Sequence, residues 1–284
     1  MPKAKVNGID LAYEVYGEGP PLVLAHGYIA SKEMWDYQIG PFSEKHRVVV
    51  YDMRGHGESE APPEDDAGYA MDTLVEDQRA LMGHLGIEQA YLGGLSMGGS
   101  IAMRFALKYP QRVRALLLFD TAAGHTQAGQ EMRRQWQTNH DLISTFIRST
   151  GVADTLRNLY AQRVQTPGAG TAEAPAEVHA FMERMQHLSP DGFLGAGRAL
   201  WEQDDVLDRM PEIAAPTLVL VGEMDFLLDA SKRMHEKLSG ARFCLIKSSG
   251  HGTAMWQPEK FTSAVLDFLT DVEAGRPVAG SEER

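Results

Sequence analysis

The chain has 284 residues, a formal net charge of −12, 43% hydrophobic and 23% charged side chains, and one cysteine. That length and balance suit one large α/β domain, or a core domain carrying an insertion, and exclude global disorder. The negative charge disfavours nucleic acid and anionic membrane surfaces as partners, and a single cysteine excludes an intramolecular disulfide. Cys244 lies inside the apolar run RFCLI, where packing is its expected use. No run of about 18 apolar residues occurs, and MPKAKVNGIDLAYEVYGEG at the start lacks the apolar core of a secretion signal. A soluble cytoplasmic protein, monomer or homodimer, is therefore expected.

Residues 3 to 16 alternate apolar and polar around Asn7 and Gly8, which reads as a β-hairpin with a two-residue turn. Leu22 to Ala25 is a continuous apolar run suited to a strand buried on both faces, followed by His26, Gly27 and Tyr28. Val48 to Tyr51 is a second such run, leading into DMRGHGES, residues 52 to 59. Asp52, Arg54 and His56 could suggest a metal or acid–base site, but a charged turn whose Asp and Arg pair with neighbouring backbone is the preferred reading. Met71, Leu74, Val75, Leu81, Met82 and Leu85 recur at helical spacing, with Asp72 near the helix start.

The next apolar run ends in YLGGLSMGG, residues 91 to 99, in which Gly94 to Gly98 form a G-x-S-x-G pentad. A strand before it and a helical pattern from Met97 to Tyr109 after it force a sharp turn at Ser96 and hold the hydroxyl at the sheet edge. A serine hydroxyl is a poor nucleophile alone, so a base must lie within hydrogen-bond reach and a third group must orient that base. A Gly-rich turn with an incidental serine is the competing reading; the strand and helix context argues against it.

VRALLLF, residues 113 to 119, is a further buried strand ending at Asp120. From about Ala122 to Arg209 the alternation of strand and helix stops. The pattern becomes helical, broken by a Pro, Gly and Ala-rich stretch from Pro167 to Pro175. The economical account is an inserted helical lid over residues 122–210, its inward face drawn from Trp136, Phe146, Phe181, Met182, Met185 and Trp201. Alternation resumes with PTLVLV, then GEMDFLLD and a helix from about Asp229, then the strand at Arg242 to Lys247, SSGHG, and a helix from Pro258 to Phe268. The core is thus expected at 1–121 and 211–270. Residues 271–284 offer little to bury and are expected to be disordered.

With HGY at 26–28, YDMRGHGES at 51–59, GLSMGG at 94–99, GEMD at 222–225 and GHG at 250–252, the chain resembles the α/β-hydrolase superfamily, and within it the bacterial esterase and enol-lactonase branch. The resemblance covers roughly residues 5–121 and 211–270. It implies an α/β fold with a mostly parallel, doubly wound sheet and a helical lid inserted after the sixth strand. It also implies Ser96 as nucleophile, His251 as general base and acid, and Asp225 as the carboxylate on the imidazole. Tyr28 and Met97 would give backbone N–H groups to the oxyanion, with no metal or organic cofactor. Asp120 and Asp229 are the rival carboxylates; the strand, short turn, Asp order favours Asp225, and Asp229 reads as the N-cap of the next helix.

The implied activity is hydrolysis of small carboxylic esters through an acyl-enzyme. A lactonase or enol-lactonase is the nearest alternative, followed by a carbon–carbon bond hydrolase and a ligand-sensing protein with a slow triad. Haloalkane dehalogenases and epoxide hydrolases of this fold carry Asp at the nucleophile position, where this chain has Ser96. Met97 after the serine also resembles cofactor-free perhydrolases.

Overall fold

The computed structural model describes residues 1–64, 68–123, 127–152, 154–155 and 188–284. Asn7 and Gly8 both take positive φ, 46° and 82°. This is the turn whose twist matches a two-stranded ribbon, and it pairs β1 (Lys3–Val6) antiparallel with β2 (Ile9–Tyr16). The apolar runs become β3 (Pro21–Ala25), β4 (Arg47–Tyr51), β5 (Ala90–Leu95), β6 (Val113–Phe119), β7 (Thr217–Gly222) and β8 (Arg242–Ile246). With β9 (Gly280–Glu283), the described residues form a nine-stranded sheet in the order β1-β2-β4-β3-β5-β6-β7-β8-β9. Only the pairs made by β2 are antiparallel.

The α-helices among the described residues, in chain order, are α1 (Asp36–Ser43), α2 (Met71–His84), α3 (Met97–Lys108), α4 (Gln127–Thr150), α5 (Pro190–Glu202), α6 (Leu228–Lys237), α7 (Thr253–Trp256) and α8 (Pro258–Glu273). The two-residue period of each strand divides the core into two layers. Leu22, Leu24, Val48, Val50, Leu117, Leu218 and Leu220 face α1 and α8. Val23, Ala25, Val49, Leu116, Leu118, Val219 and Val221 face α2, α3 and α6. Helix α8 supplies Phe261, Ala264, Val265, Phe268 and Leu269, one stripe at helical spacing. Among the described residues no helix is long and apolar enough to cross a membrane.

Between β6 and β7 the chain leaves the sheet for a helical insertion that contains α4 and α5. Helix α5 begins with Ser189, whose Oγ accepts Gly192 N–H at 2.8 Å, and with Pro190 in the first turn. Ile147, Val152, Leu188, Phe193 and Leu194 make a small core of their own, against which Tyr28 and Ile29 also pack. Helix α5 comes so close to the turn after β4 that a Cβ on Gly192 would lie 2.0 Å from Gly55 O. Of the residues expected on the inward face, Phe146 is exposed on α4 and Trp201 is half-buried on α5. The Pro167 to Pro175 break, Phe181, Met182, Met185 and the side chain of Trp136 lie outside the described residues.

The expectation of a disordered tail at 271–284 is corrected. Helix α8 runs on to Glu273, Val278 is buried, and β9 pairs parallel with β8 from Arg242↔Gly280 to Leu245↔Glu283. Arg284 N–H donates to Leu245 O at 2.9 Å, and its guanidinium to Asp267 at 2.8 Å. A backbone ladder needs no apolar side chains, and a charged segment such as GSEE suits a sheet edge. A reading by composition alone misses it.

Candidate active site

The strand order turns back on itself between β3 and β5, the crevice where sheets of this kind take ligands at the carboxyl ends of their strands. Ser96 stands there, one residue past β5, with φ 55° and ψ −113°. An L-residue rarely adopts that conformation, and the neighbours permit it only by lacking side chains. A Cβ on Gly94 would lie 2.2 Å from the Gly98 carbonyl carbon, and one on Gly98 would lie 2.2 Å from Ala25 O. The pentad is therefore a steric requirement of the turn.

Residues 119–121 at the end of β6 tie this turn to the later loops. Ser96 N–H donates to Phe119 O at 2.9 Å, and Thr121 Oγ1 donates to Ser96 O at 2.8 Å. Between them Asp120 is fully buried with φ 44°. Its Oδ1 accepts Gly222 N–H at 3.1 Å, and its Oδ2 accepts Gly252 N–H at 3.0 Å, Thr253 N–H at 2.7 Å and Thr253 Oγ1–H at 2.9 Å. One short segment so holds Ser96 on one side and the residues following His251 on the other.

His251 Nδ1 lies 3.0 and 3.1 Å from the two carboxylate oxygens of Asp225, and Asp225 Oδ1 also accepts Leu227 N–H at 2.8 Å. A carboxylate only accepts, so this geometry assigns the proton to Nδ1 and leaves a lone pair on Nε2. Burial lowers the basicity of His251, but the hydrogen bond and charge of Asp225, with the charge of Asp120, outweigh it and hold the pKa above 6.5. Burial and the charge of Asp225 push the Asp120 carboxyl upward, against the donors that favour its ionised form. Asp229 lies in the first turn of α6, where Leu227 rather than Asp229 holds the N-cap position. Among the described residues no hydrogen bond joins Ser96 Oγ to His251; a nucleophile–base contact can tighten in the complex with substrate.

Met97 is the first residue of α3, and its N–H has no acceptor within the helix. Tyr28 lies in the turn after β3, beside Gly27, whose added Cβ would lie 3.7 Å from Ser96 Cβ. Neither N–H is taken by another backbone carbonyl among the described residues. Ile29 next to Tyr28 has φ 59°, strained for a β-branched residue. The Tyr28 side chain points into the insertion, its hydroxyl donating to Phe193 O at 2.7 Å.

The DMRGHGES cluster is structural. Asp52 accepts Lys32 N–H at 2.8 Å, Lys32 Nζ at 3.2 Å and Glu58 N–H at 3.0 Å, while Arg54 pairs with both Asp77 oxygens at 2.5 Å. His26 Nε2 accepts Met53 N–H at 2.9 Å, so its Nδ1 carries the proton donated to Gly27 O at 2.8 Å. Burial lowers the pKa of His26 to about 4 and of His56 to about 3. Sequence reasoning saw Asp120 only as a rival acid and missed its four donors. It also missed Phe226, which stacks on His251; its place beside Asp225 was the one available signal.

The chain is similar to known proteins over most of its length. A 3-oxoadipate enol-lactonase from Acinetobacter baylyi is 30% identical over 90% of this chain and 92% of its own. The solved structure of a thermophilic esterase from Thermogutta terrifontis is 30% identical, with a TM-score of 0.82 over 96% of this chain and 99% of that one. An enol-lactonase from Burkholderia xenovorans is 28% identical, with a TM-score of 0.80 over 95% and 100%. The family model for the alpha/beta hydrolase fold matches residues 20–258, and the chain belongs to that family.

Proposed function

We propose that this hydrolase-family chain cleaves small carboxylic esters through Ser96, His251 and Asp225, with an acyl-enzyme intermediate. The observation that carries this reading is the bond from His251 Nδ1 to Asp225 at 3.0 Å, on the same sheet edge as the strained turn at Ser96. In the proposed mechanism His251 Nε2 takes the Ser96 proton as Oγ attacks the ester carbonyl. The oxyanion that forms is met by the N–H groups of Tyr28 and Met97, at the positive end of α3. The imidazolium then gives its proton to the departing alkoxide, the carbon–oxygen bond breaks, and the alcohol leaves. Water deprotonated by His251 attacks the acyl-enzyme, and Ser96 recovers the proton as the acid is released. Side chains, backbone N–H groups and water account for every step.

Turnover of short p-nitrophenyl esters by wild type and Ser96→Ala tests the reading. Loss of the nucleophile lowers kcat by about a million-fold in the measured serine-protease analogue; a variant retaining most of its activity overturns the assignment. A lactonase is the second reading, favoured by the two enol-lactonases among the relatives. It uses the same residues on a cyclic ester, and rates on matched linear esters and lactones separate the two.

A further inference from the structure

Met224 and Phe226 flank Asp225 in the turn after β7, and both are exposed: 59% for Met224 and 72% for Phe226. The Phe226 ring lies on His251, with ring centroids 4.6 Å apart and planes tilted by 39°. One face of the phenyl ring covers the imidazole; most of the remainder faces solvent.

Resting on the ester-hydrolase reading, we propose that Phe226, with Met224, is the platform for the alcohol portion of the substrate, and that the preferred esters carry neutral apolar alcohols. The leaving oxygen takes its proton from His251 Nε2, so it must come within about 3 Å of that atom. The first carbons of the alcohol therefore lie within a few ångströms of the imidazole and of the ring stacked on it. Charge points the same way. Asp225, 3.0 Å from Nδ1, sets a negative charge across the imidazole from the leaving oxygen, and that field disfavours an anionic alcohol. An alkyl or aryl alcohol meets a phenyl ring and a thioether that gain from being covered.

Acetates of ethanol, butanol, hexanol and 4-hydroxybutyrate share one acyl group and alcohols of similar acidity, so rate differences report alcohol binding. For wild type, kcat/KM should rise about tenfold or more from ethyl to hexyl acetate and stay low for the carboxylate-bearing ester. Phe226→Ala should flatten the hexyl-to-ethyl ratio, and Phe226→Leu, which keeps an apolar surface, should retain much of it. The acid limb of the pH profile should not move in either variant. An unchanged ratio in Phe226→Ala overturns the proposal. So does a uniform loss on all esters with a displaced acid limb, which would make the ring a support for His251 instead. Ser96→Ala, measured in parallel, separates the outcomes: if it remains active the underlying reading has failed, and if it is dead while the ratio is unchanged only the platform has failed.

Discussion

Replacing Asp225 by Asn exchanges a carboxylate oxygen for an NH2 group with almost no change of shape. Leu227 N–H donates to Oδ1 at 2.8 Å, so the amide oxygen is held at that place and the NH2 group takes the other, 3.0 Å from His251 Nδ1. A donor there can be met only by an accepting Nδ1, which puts the ring proton on Nε2, in competition with the amide oxygen 3.1 Å from the same nitrogen. In the proposed mechanism Nε2 must accept the Ser96 proton, so the variant loses the carboxylate that held a single tautomer and populates the wrong one. The same exchange in the serine-protease triad costs about 10,000-fold, on the order of 5 kcal/mol of transition-state stabilisation. The expected outcome is a loss of that size in kcat/KM on a short p-nitrophenyl ester, with the protein still folded by circular dichroism. The pH profile carries a second sign. The imidazolium cannot accept a proton, so activity is present above the folded pKa of His251 and lost as pH falls through it. That pKa is raised, which places the wild-type acid limb above 6.5. In Asp225→Asn the leading upward influence is gone while burial remains, so any residual activity should show its acid limb at lower pH. Retention of activity within about tenfold of wild type would refute the tautomer argument. Retention there with loss in Asp120→Asn would move the acid to residue 120.

Asp120→Ala would leave the N–H groups of Gly222, Gly252 and Thr253 without their acceptor. At about 1–3 kcal/mol for each buried orphan, urea denaturation should show a loss of several kcal/mol, and an unchanged midpoint would contradict the bonding described. Gly192→Ala would set a Cβ 2.0 Å from the backbone oxygen of Gly55, and thermal denaturation should register about 1–3 kcal/mol of overpacking. His26 and His56 are neutral when buried, with folded pKa values of about 4 and about 3 against about 6.5 unfolded. The stability they confer is complete above pH 6.5 and is lost as pH falls toward those values, by about 1.4 kcal/mol per unit for each. Denaturation midpoints at pH 7, 5 and 4 should therefore decline, and replacing both histidines by Asn should flatten the decline.

Strands whose faces are both buried carry the plainest signal in a sequence, and β3 to β8 were all legible as apolar runs. The helices with one stripe, α2 and α8, were legible for the same reason, since the buried residues of each are those at helical spacing. What escaped was held by hydrogen bonds with no apolar signature. Strand β9 pairs through its backbone, and nothing in GSEE distinguishes a paired edge from a free tail. At the candidate site, Ser96 and His251 were visible through their glycine settings, whereas the use of Asp120 was not. An Asp at a strand end reads the same whether it meets an imidazole or three peptide N–H groups, because the choice depends on loops more than a hundred residues away.

Two buried carboxylates act on one histidine here, and the donors around them divide their work. Asp120 accepts three peptide N–H groups and a hydroxyl, which occupies about all the lone-pair directions a carboxylate offers. The carboxylate bonds of His251 go to Asp225 instead. Asp225 accepts one peptide N–H and has both oxygens within reach of Nδ1. The first can act on His251 only through the field and by fixing the loop; the second acts through a proton it orients. Changes at Asp120 should therefore appear first in stability and then in rate as the loop loosens, while changes at Asp225 should appear in rate with little loss of stability. Because both meet at His251, the two effects should not add: once Asp225 is Asn and the tautomer is wrong, loosening the loop by Asp120→Asn should cost far less rate than it does in wild type. Strict additivity of the two rate losses would mean that the carboxylates act on different groups, and the shared histidine would no longer be the point where this site is assembled.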